Sequence, residues 1–211
     1  MLRIYHGLIA LSVIGVLAAV PASASAADAS PVVQGFQAVL PDTMKQAKAL
    51  GVKGRYERLG PAIKEAFHLP LMMATASAPY WRDGTAAQRT RLLAAFQRMS
   101  ASTVATLFDD YGGETFRVVR ERKSAGPTVL VDTQVVRPGD DPVDITFVAA
   151  RLQERWWIID LIVGGGISEV RVRRNEYMRF LREGGLDRLA QALDEQADHL
   201  LARKPETTAA R

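Results

Sequence analysis

The sequence predicts an α+β fold in which helices at both ends of the chain wrap a curved, four-stranded antiparallel sheet. Apolar residues recur with a period near 3.6 as far as Asp110 and again after Ser168. Between Thr115 and Val163 the period changes to 2, and four strand-like segments are separated only by short runs of turn residues. Consecutive strands with short links favour an antiparallel meander.

Composition supports a single water-soluble domain. The 211 residues are 48% hydrophobic and 24% charged, the balance of a globular protein. The absence of cysteine excludes disulfides, thiolate zinc sites, iron-sulfur clusters and cysteine nucleophiles. The net charge of +4 arises from 27 basic and 23 acidic residues spread along the chain, which argues against nucleic acid as a partner.

The first 26 residues predict a secretory signal peptide. Arg3 supplies a positive start, and the uncharged run from Gly7 to Val20 is shorter than a spanning helix needs. Two overlapping Ala-x-Ala sites place cleavage after Ala24 or Ala26. We therefore expect export to the periplasm, a folded domain over residues 27–203 and a flexible tail over residues 204–211.

The chain before the sheet is predicted to be helical. A helix over Val32–Leu50 with an interruption at Pro41 is followed by a short helix over Tyr56–Phe67. Leu69–Ala78 is predicted to be a helix or a packed loop.

A longer helix follows, with a recognisable start. Thr85 and Gln88 have the spacing of a capping box, the apolar stripe continues to Asp110, and Gly112-Gly113 ends the helix. A helix with so broad a stripe must pack on a large surface. The stripe consists of Leu92, Leu93, Phe96, Met99, Thr103 and Leu107.

Four strands are predicted after this helix. Their segments are Thr115–Glu121, Thr128–Val136, Val143–Leu152 and Arg155–Val163. The last strand is apolar at both parities, so we expect both of its faces to be covered.

Two helices are predicted to close the chain. Gly164-Gly165-Gly166 ends the last strand, and Ser168 caps a helix over Glu169–Arg182. Gly184-Gly185 separates it from a final helix over Leu186–Leu201.

An ordered set of short motifs resembles the MlaC (toluene-tolerance Ttg2-type) family. The set covers nearly the whole predicted domain, and Ile167 to Tyr177 is similar to the hopanoid-associated HpnM branch. Gly164-Gly165-Gly166 is one residue longer than the turn typical of MlaC members, which fits that branch. The motifs are Pro79-Tyr80-Trp81-Arg82, Thr85 to Arg89 with Phe96, Tyr111 to Phe116, Trp156 with Ile158 to Leu161, Gly166-Ile167-Ser168, and the helical end from Arg174 to Leu193.

The resemblance implies a periplasmic carrier of phospholipid or hopanoid between the inner and outer membranes. Such a carrier is the soluble component of an ABC-type intermembrane transport system. Its implied partners are an inner-membrane ABC or RND-type transporter component and an outer-membrane lipoprotein complex. Cofactors and metals are not implied.

Candidate cargo-lining residues are the large apolar side chains of the sheet and the long helix, together with a methionine pair. Methionine adapts to irregular ligands, so the pair could form a flexible lip, but ordinary core packing explains any of these residues equally well. The candidates are Met72, Met73, Phe96, Met99, Phe108, Phe116, Val118, Leu130, Ile145, Phe147, Trp156 and Ile158.

Arg171, Arg173 and Arg174 are candidates for docking to acidic partners or anionic head groups, although a solvated helix surface is the simpler interpretation.

Two other functions stay open from the sequence. Asp160 is embedded in an apolar strand and could serve an enzyme of the nuclear-transport-factor-like (NTF2-like) class, but a hydrogen-bonded structural carboxylate is the favoured interpretation. His68 is expected to be a surface or capping residue. A periplasmic adaptor without a cavity is the remaining alternative. We predict no catalytic residue, no metal and no cofactor.

Overall fold

A computed structural model describes residues 28–124 and 126–202. The predicted signal peptide and the predicted flexible tail lie outside these residues. Within the described ranges, no helix is both long and apolar enough to cross a bilayer. The helices are α1 (Ser30–Ala38), α2 (Leu40–Lys45), α3 (Ala47–Ala66), α4 (Leu69–Ala76), α5 (Tyr80–Asp83), α6 (Ala86–Leu107) and α7 (Glu169–Ala202), and the strands are β1 (Thr115–Lys123), β2 (Thr128–Val136), β3 (Val143–Leu152) and β4 (Arg155–Val163).

The N-terminal helices differ from the prediction in their boundaries. The expected helix over Val32–Leu50 is divided at Val39, where α1 gives way to α2, and again at Gln46. Helix α3 is longer than the short helix expected over Tyr56–Phe67 and contains a break at Gly51, whose φ of 60° suits glycine. Pro61 lies inside α3 without ending it.

Helix α6 begins as its sequence predicts. The Thr85 hydroxyl accepts a hydrogen bond from the Gln88 backbone N–H, and the Gln88 side chain accepts one from the Thr85 N–H. These two bonds satisfy backbone donors that the first helical turn leaves unpaired. The helix ends at Leu107, earlier than Asp110, and packs most extensively on α7.

The four strands pair in the order β1-β2-β3-β4, all antiparallel, which confirms the meander. The register places Val131, Phe147 and Ile158 on one face, called here the inner face, and all three are buried. Bulges interrupt the register between Val118 and Arg120 and between Val148 and Ala149. Such bulges bend strands.

Strand β4 is less enclosed than its composition predicts. Ile158 is fully buried, but most of the strand is half-buried and Val163 at its end is exposed. One edge of β4 is covered by a parallel bridge between Ile158 and Phe67, where the His68 N–H donates to the Ile158 carbonyl.

Helix α7 consists of two segments. Gly184 and Gly185 have non-helical backbone angles, so the predicted separation between the final helices is confirmed. The Ser168 hydroxyl accepts from the Arg171 N–H and caps the first segment, as predicted.

Candidate functional site

The helices and the inner face of the sheet enclose a largely apolar cavity of about 420 Å³. This apolar cavity has walls from five elements and is open at a rim formed by Leu107 and Val163, which are 70% and 43% exposed. Its lining residues are Ile63, Phe67, Leu69, Met72, Ala76, Phe96, Met99, Ser100, Thr103, Val104, Leu107, Leu161, Val163, Glu169, Val170 and Arg173.

A second, more polar cavity of about 600 Å³ lies beside it, between α6 and α7. The two cavities share Met99, Thr103, Leu107 and Arg173, so they are adjoining compartments. The polar compartment is also lined by Thr106, Asn175, Glu176, Tyr177, Arg179, Phe180, Ala192, Leu193, Gln196 and Leu200.

Helical periodicity explains the wall that α6 provides. Phe96, Met99 and Thr103 follow one another at intervals of three and four, the spacing of one helical face. The Thr103 hydroxyl donates to the Met99 carbonyl, so this polar side chain is satisfied within the helix and leaves the cavity wall largely apolar.

Three predicted cargo-lining residues, Met72, Phe96 and Met99, line the apolar cavity. Met73 and Ile158 are fully buried in the core. The ring of Phe147 packs edge-on against Phe36.

The other candidates on or beside the inner face are not among the residues that line this cavity. The rings of Phe108 and Phe116 meet edge-on with centroids 6.0 Å apart. Val118 and Ile145 are half-buried beside the core. Trp156 lines a separate cavity of about 550 Å³ beside α1, together with Asp28 and Arg155 among others.

The prediction that Leu130 lines the cavity is wrong. The register pairs it with Arg122 and Val148, on the face of the sheet that points away from the apolar cavity. The alternation of β2 already separates its two faces, because Leu130 has the same parity as the polar Asp132 and Gln134.

Leu161 lines the cavity but was not predicted to, because a β-bulge changes which side chains of β4 face inward. Strict alternation from Ile158 would have placed Asp160 and Ile162 on the inner face. Ile159 is instead the extra residue of the bulge opposite Val148 and Ala149, so Leu161 pairs with Phe147 and reaches the cavity. Leu107 also lines the cavity, and its place on the apolar stripe of α6 could have predicted this.

Asp160 has a structural role. One of its carboxylate oxygens accepts from the backbone N–H groups of Leu161 and Val170, which fixes the start of α7 beside β4. His68 is the N-cap of α4, and its Nδ1 accepts from the Leu71 N–H. Among the described residues, no three His, Asp or Glu side chains are grouped as a metal site would require.

The predicted docking arginines separate into two environments. Arg171 and Arg174 are exposed on α7. Arg173 is half-buried and faces the two cavities.

These features define a class of α+β protein in which helices and an antiparallel meander enclose an apolar cavity with a polar annex. A family model described as MlaC protein matches residues 35–195. The match spans well over half of the sequence, and the chain belongs to the MlaC family.

A solved structure supports the same fold. The chain is similar to a phospholipid-binding protein from Ralstonia solanacearum that was determined in complex with a phospholipid. The TM-score is 0.72 at 20% sequence identity, and the match covers 82% of this chain and 99% of that one. The predicted α+β architecture is therefore confirmed.

Proposed function

We propose that the protein is a periplasmic lipid carrier that moves phospholipid between the inner and outer membranes. The observation that carries this proposal is the apolar cavity of about 420 Å³, a size within the range of small-molecule sites. Membership of the MlaC family and the phospholipid bound by the Ralstonia solanacearum protein support the choice of cargo. A hopanoid is the alternative cargo that the HpnM-like segment suggests.

A lipid cannot cross the aqueous periplasm without a carrier, because the free energy of exposing its acyl chains to water is large. An acyl chain of about 16 carbons costs on the order of 12 kcal/mol to expose to water, at about 0.8 kcal/mol per methylene. A dry cavity removes most of that cost. Because the cavity and a bilayer are both apolar, transfer between them is close to neutral, so direction must come from coupled partners. We propose an inner-membrane ABC or RND-type transporter component and an outer-membrane lipoprotein complex as those partners.

The first test is native mass spectrometry of the mature protein purified from its own periplasm without detergent. We expect a stoichiometric lipid, identified as phospholipid or hopanoid by organic extraction. A protein that arrives empty and remains empty after incubation with vesicles of both lipids would contradict the carrier function and favour an adaptor.

A cavity-filling variant tests the site itself. Ser100 lines the apolar cavity, whereas Ala94 is exposed on the same helix. Ser100→Phe should therefore reduce lipid retention several-fold, and Ala94→Phe, which adds the same ring outside the cavity, should not. Equal retention in both variants, with unchanged thermal stability, would show that lipid binds elsewhere.

A further inference from the structure

Arg173 lies where a helix normally presents an apolar residue. On the first segment of α7, Val170 and Tyr177 are buried, and Arg173 falls between them at the same three-to-four spacing. Its side chain is only 36% exposed. Its neighbours Arg171 and Arg174 are exposed, so Arg173 has a different environment from the rest of the arginine cluster.

Two glutamates on the same helix hold Arg173 in place. Its Nη1 donates to Glu176 Oε2 at 2.8 Å, and its Nη2 lies 3.8 Å from Glu169 Oε2. Burial opposes the charge, but the hydrogen bond to Glu176 and the electrostatic interactions with Tyr177, Glu176 and Glu169 more than offset this effect, so the pKa of Arg173 is raised. A guanidinium has five N–H donors, and within the described ranges Arg173 makes a single hydrogen bond.

The position of Arg173 joins the two compartments. It is the one cation that lines the apolar cavity within the part of the chain that the structure describes, and it also lines the polar compartment. An amphipathic molecule with its acyl chain in the first compartment and its head group in the second would pass this guanidinium.

One helical turn away, Tyr177 has an unsatisfied donor. Tyr177 is 3% exposed, and its hydroxyl has no hydrogen-bond partner among the described residues. Burial raises the pKa of Tyr177, so the phenol keeps its proton at neutral pH. A buried hydroxyl without a partner is costly. Tyr177 is one of the residues that line the polar compartment.

We propose that Arg173, at the junction of the two cavities, and the Tyr177 hydroxyl, beside the polar compartment, bind the phosphodiester of the cargo head group. This inference rests on the proposed function and adds a specific head-group site to it. Arginine suits the task because its planar donors match phosphate oxygens. The charged residues at the junction are Arg173, Arg179, Glu169 and Glu176. Because these two cations and two carboxylates have no net charge together, the lining suits a zwitterionic phospholipid with one phosphodiester better than a multiply anionic head group.

The test compares two cargos that differ only in the head group. The wild-type protein and its variants are incubated with either phosphatidylethanolamine or diacylglycerol with the same acyl chains, each delivered from cyclodextrin so that no other phospholipid is present. Bound lipid is then counted by native mass spectrometry. We expect Arg173→Gln to retain phospholipid about tenfold less than the wild type, since charge-assisted hydrogen bonds are among the stronger ones, and to retain diacylglycerol within about twofold.

The matched control is Arg174→Gln, because Arg174 is the exposed neighbour on the same helix. It should retain both lipids like the wild type. Tyr177→Phe removes a hydroxyl that has no partner in the described structure, so it should fold normally and show a smaller selective loss of phospholipid.

Each outcome decides the matter. Equal loss of both lipids in Arg173→Gln would show that Arg173 only shapes the cavity, and unchanged retention would show that it contacts no cargo; either result overturns the proposal. If Arg173→Gln does not fold, Tyr177→Phe decides: a selective loss supports the site and no loss overturns it. A wild-type protein that binds neither lipid would instead refute the carrier function itself.

Discussion

The two faces of the sheet solve different physical problems with the same four strands. The inner face buries Val131, Phe147 and Ile158 against helices and forms part of the wall of the apolar cavity. The opposite face, called here the outer face, carries Arg117, Gln134 and Asp144 in an exposed hydrogen-bonded row. Whether a side chain can line the cavity therefore depends on the face it occupies and not on how apolar its strand is.

The outer face also carries a hydrogen-bonded cluster in which Asp132 is the central residue. Its carboxylate accepts from Arg120 Nε and Arg122 Nε at 2.8 and 2.9 Å, and Thr146 Oγ1 donates to it at 2.8 Å. Cross-strand pairs of this kind stabilise a sheet without burying apolar surface. The inner face derives its stability from burial instead.

The largest expected effect comes from truncating an inner-face residue. Ile158→Ala removes a fully buried side chain and should lower the free energy of unfolding by about 2–5 kcal/mol. Ile162→Ala on the same strand is the matched control, because Ile162 is half-buried on the outer face, and it should cost less than about 1.5 kcal/mol. Urea unfolding measures both. Similar losses would contradict the distinction between the faces.

A smaller effect is expected for Asp132→Asn, which removes the charge at the centre of the outer-face group. The loss should be about 1 kcal/mol at neutral pH, since the two arginines are largely exposed. Hydrogen bonding from Arg122, followed by Arg120 and Thr146, lowers the pKa of Asp132 in the folded protein.

The lowered pKa of Asp132 makes the stability of the protein depend on pH. Because the folded pKa of Asp132 lies below that of the unfolded chain, near 4, its contribution is full above about pH 4 and is lost as the pH falls further. Urea unfolding of wild type and variant at pH 7 and at about pH 3 should therefore show a difference that shrinks with acid. If the stability difference between wild type and variant is the same at both pH values, the charge of the Asp132 carboxylate does not contribute to stability.

The smallest effect on stability is expected for the double variant Arg171→Glu/Arg174→Glu. Both side chains are exposed, so unfolding should change by no more than about 0.5 kcal/mol and lipid retention should stay the same. If these residues dock to acidic partners or anionic head groups, exchange of lipid with anionic vesicles at low salt should slow. Unchanged exchange would discard the docking role.

Much of the fold could be predicted because local chemistry decides it. The Thr85–Gln88 capping box, the glycine pair that divides α7 and the alternation in β1 to β4 each act within a few residues. The boundaries of the N-terminal helices were harder, since the interruption expected at Pro41 falls at Val39 and a further one follows at Gln46.

The site was less predictable because it depends on contacts between distant elements. Phe96 and Met99 could be predicted from a helix face and Met72 from the adaptability of methionine, but Leu161 depends on strand register and on one bulge. The special position of Arg173 was hidden inside a cluster of arginines, and only the packing of α7 separates it from its neighbours.

The glycine break in α7 has a mechanical consequence. The segment from Glu169 to the break is about 15 residues long and so measures roughly 22 Å. Rotating this segment by about 10° at Gly184-Gly185 would displace its far end, which carries Val170 and Arg173, by about 4 Å, far enough to break the hydrogen bond from the Val170 N–H to Asp160. This wall can therefore widen only if the backbone turns at two glycines that line neither compartment and Asp160 releases the start of α7.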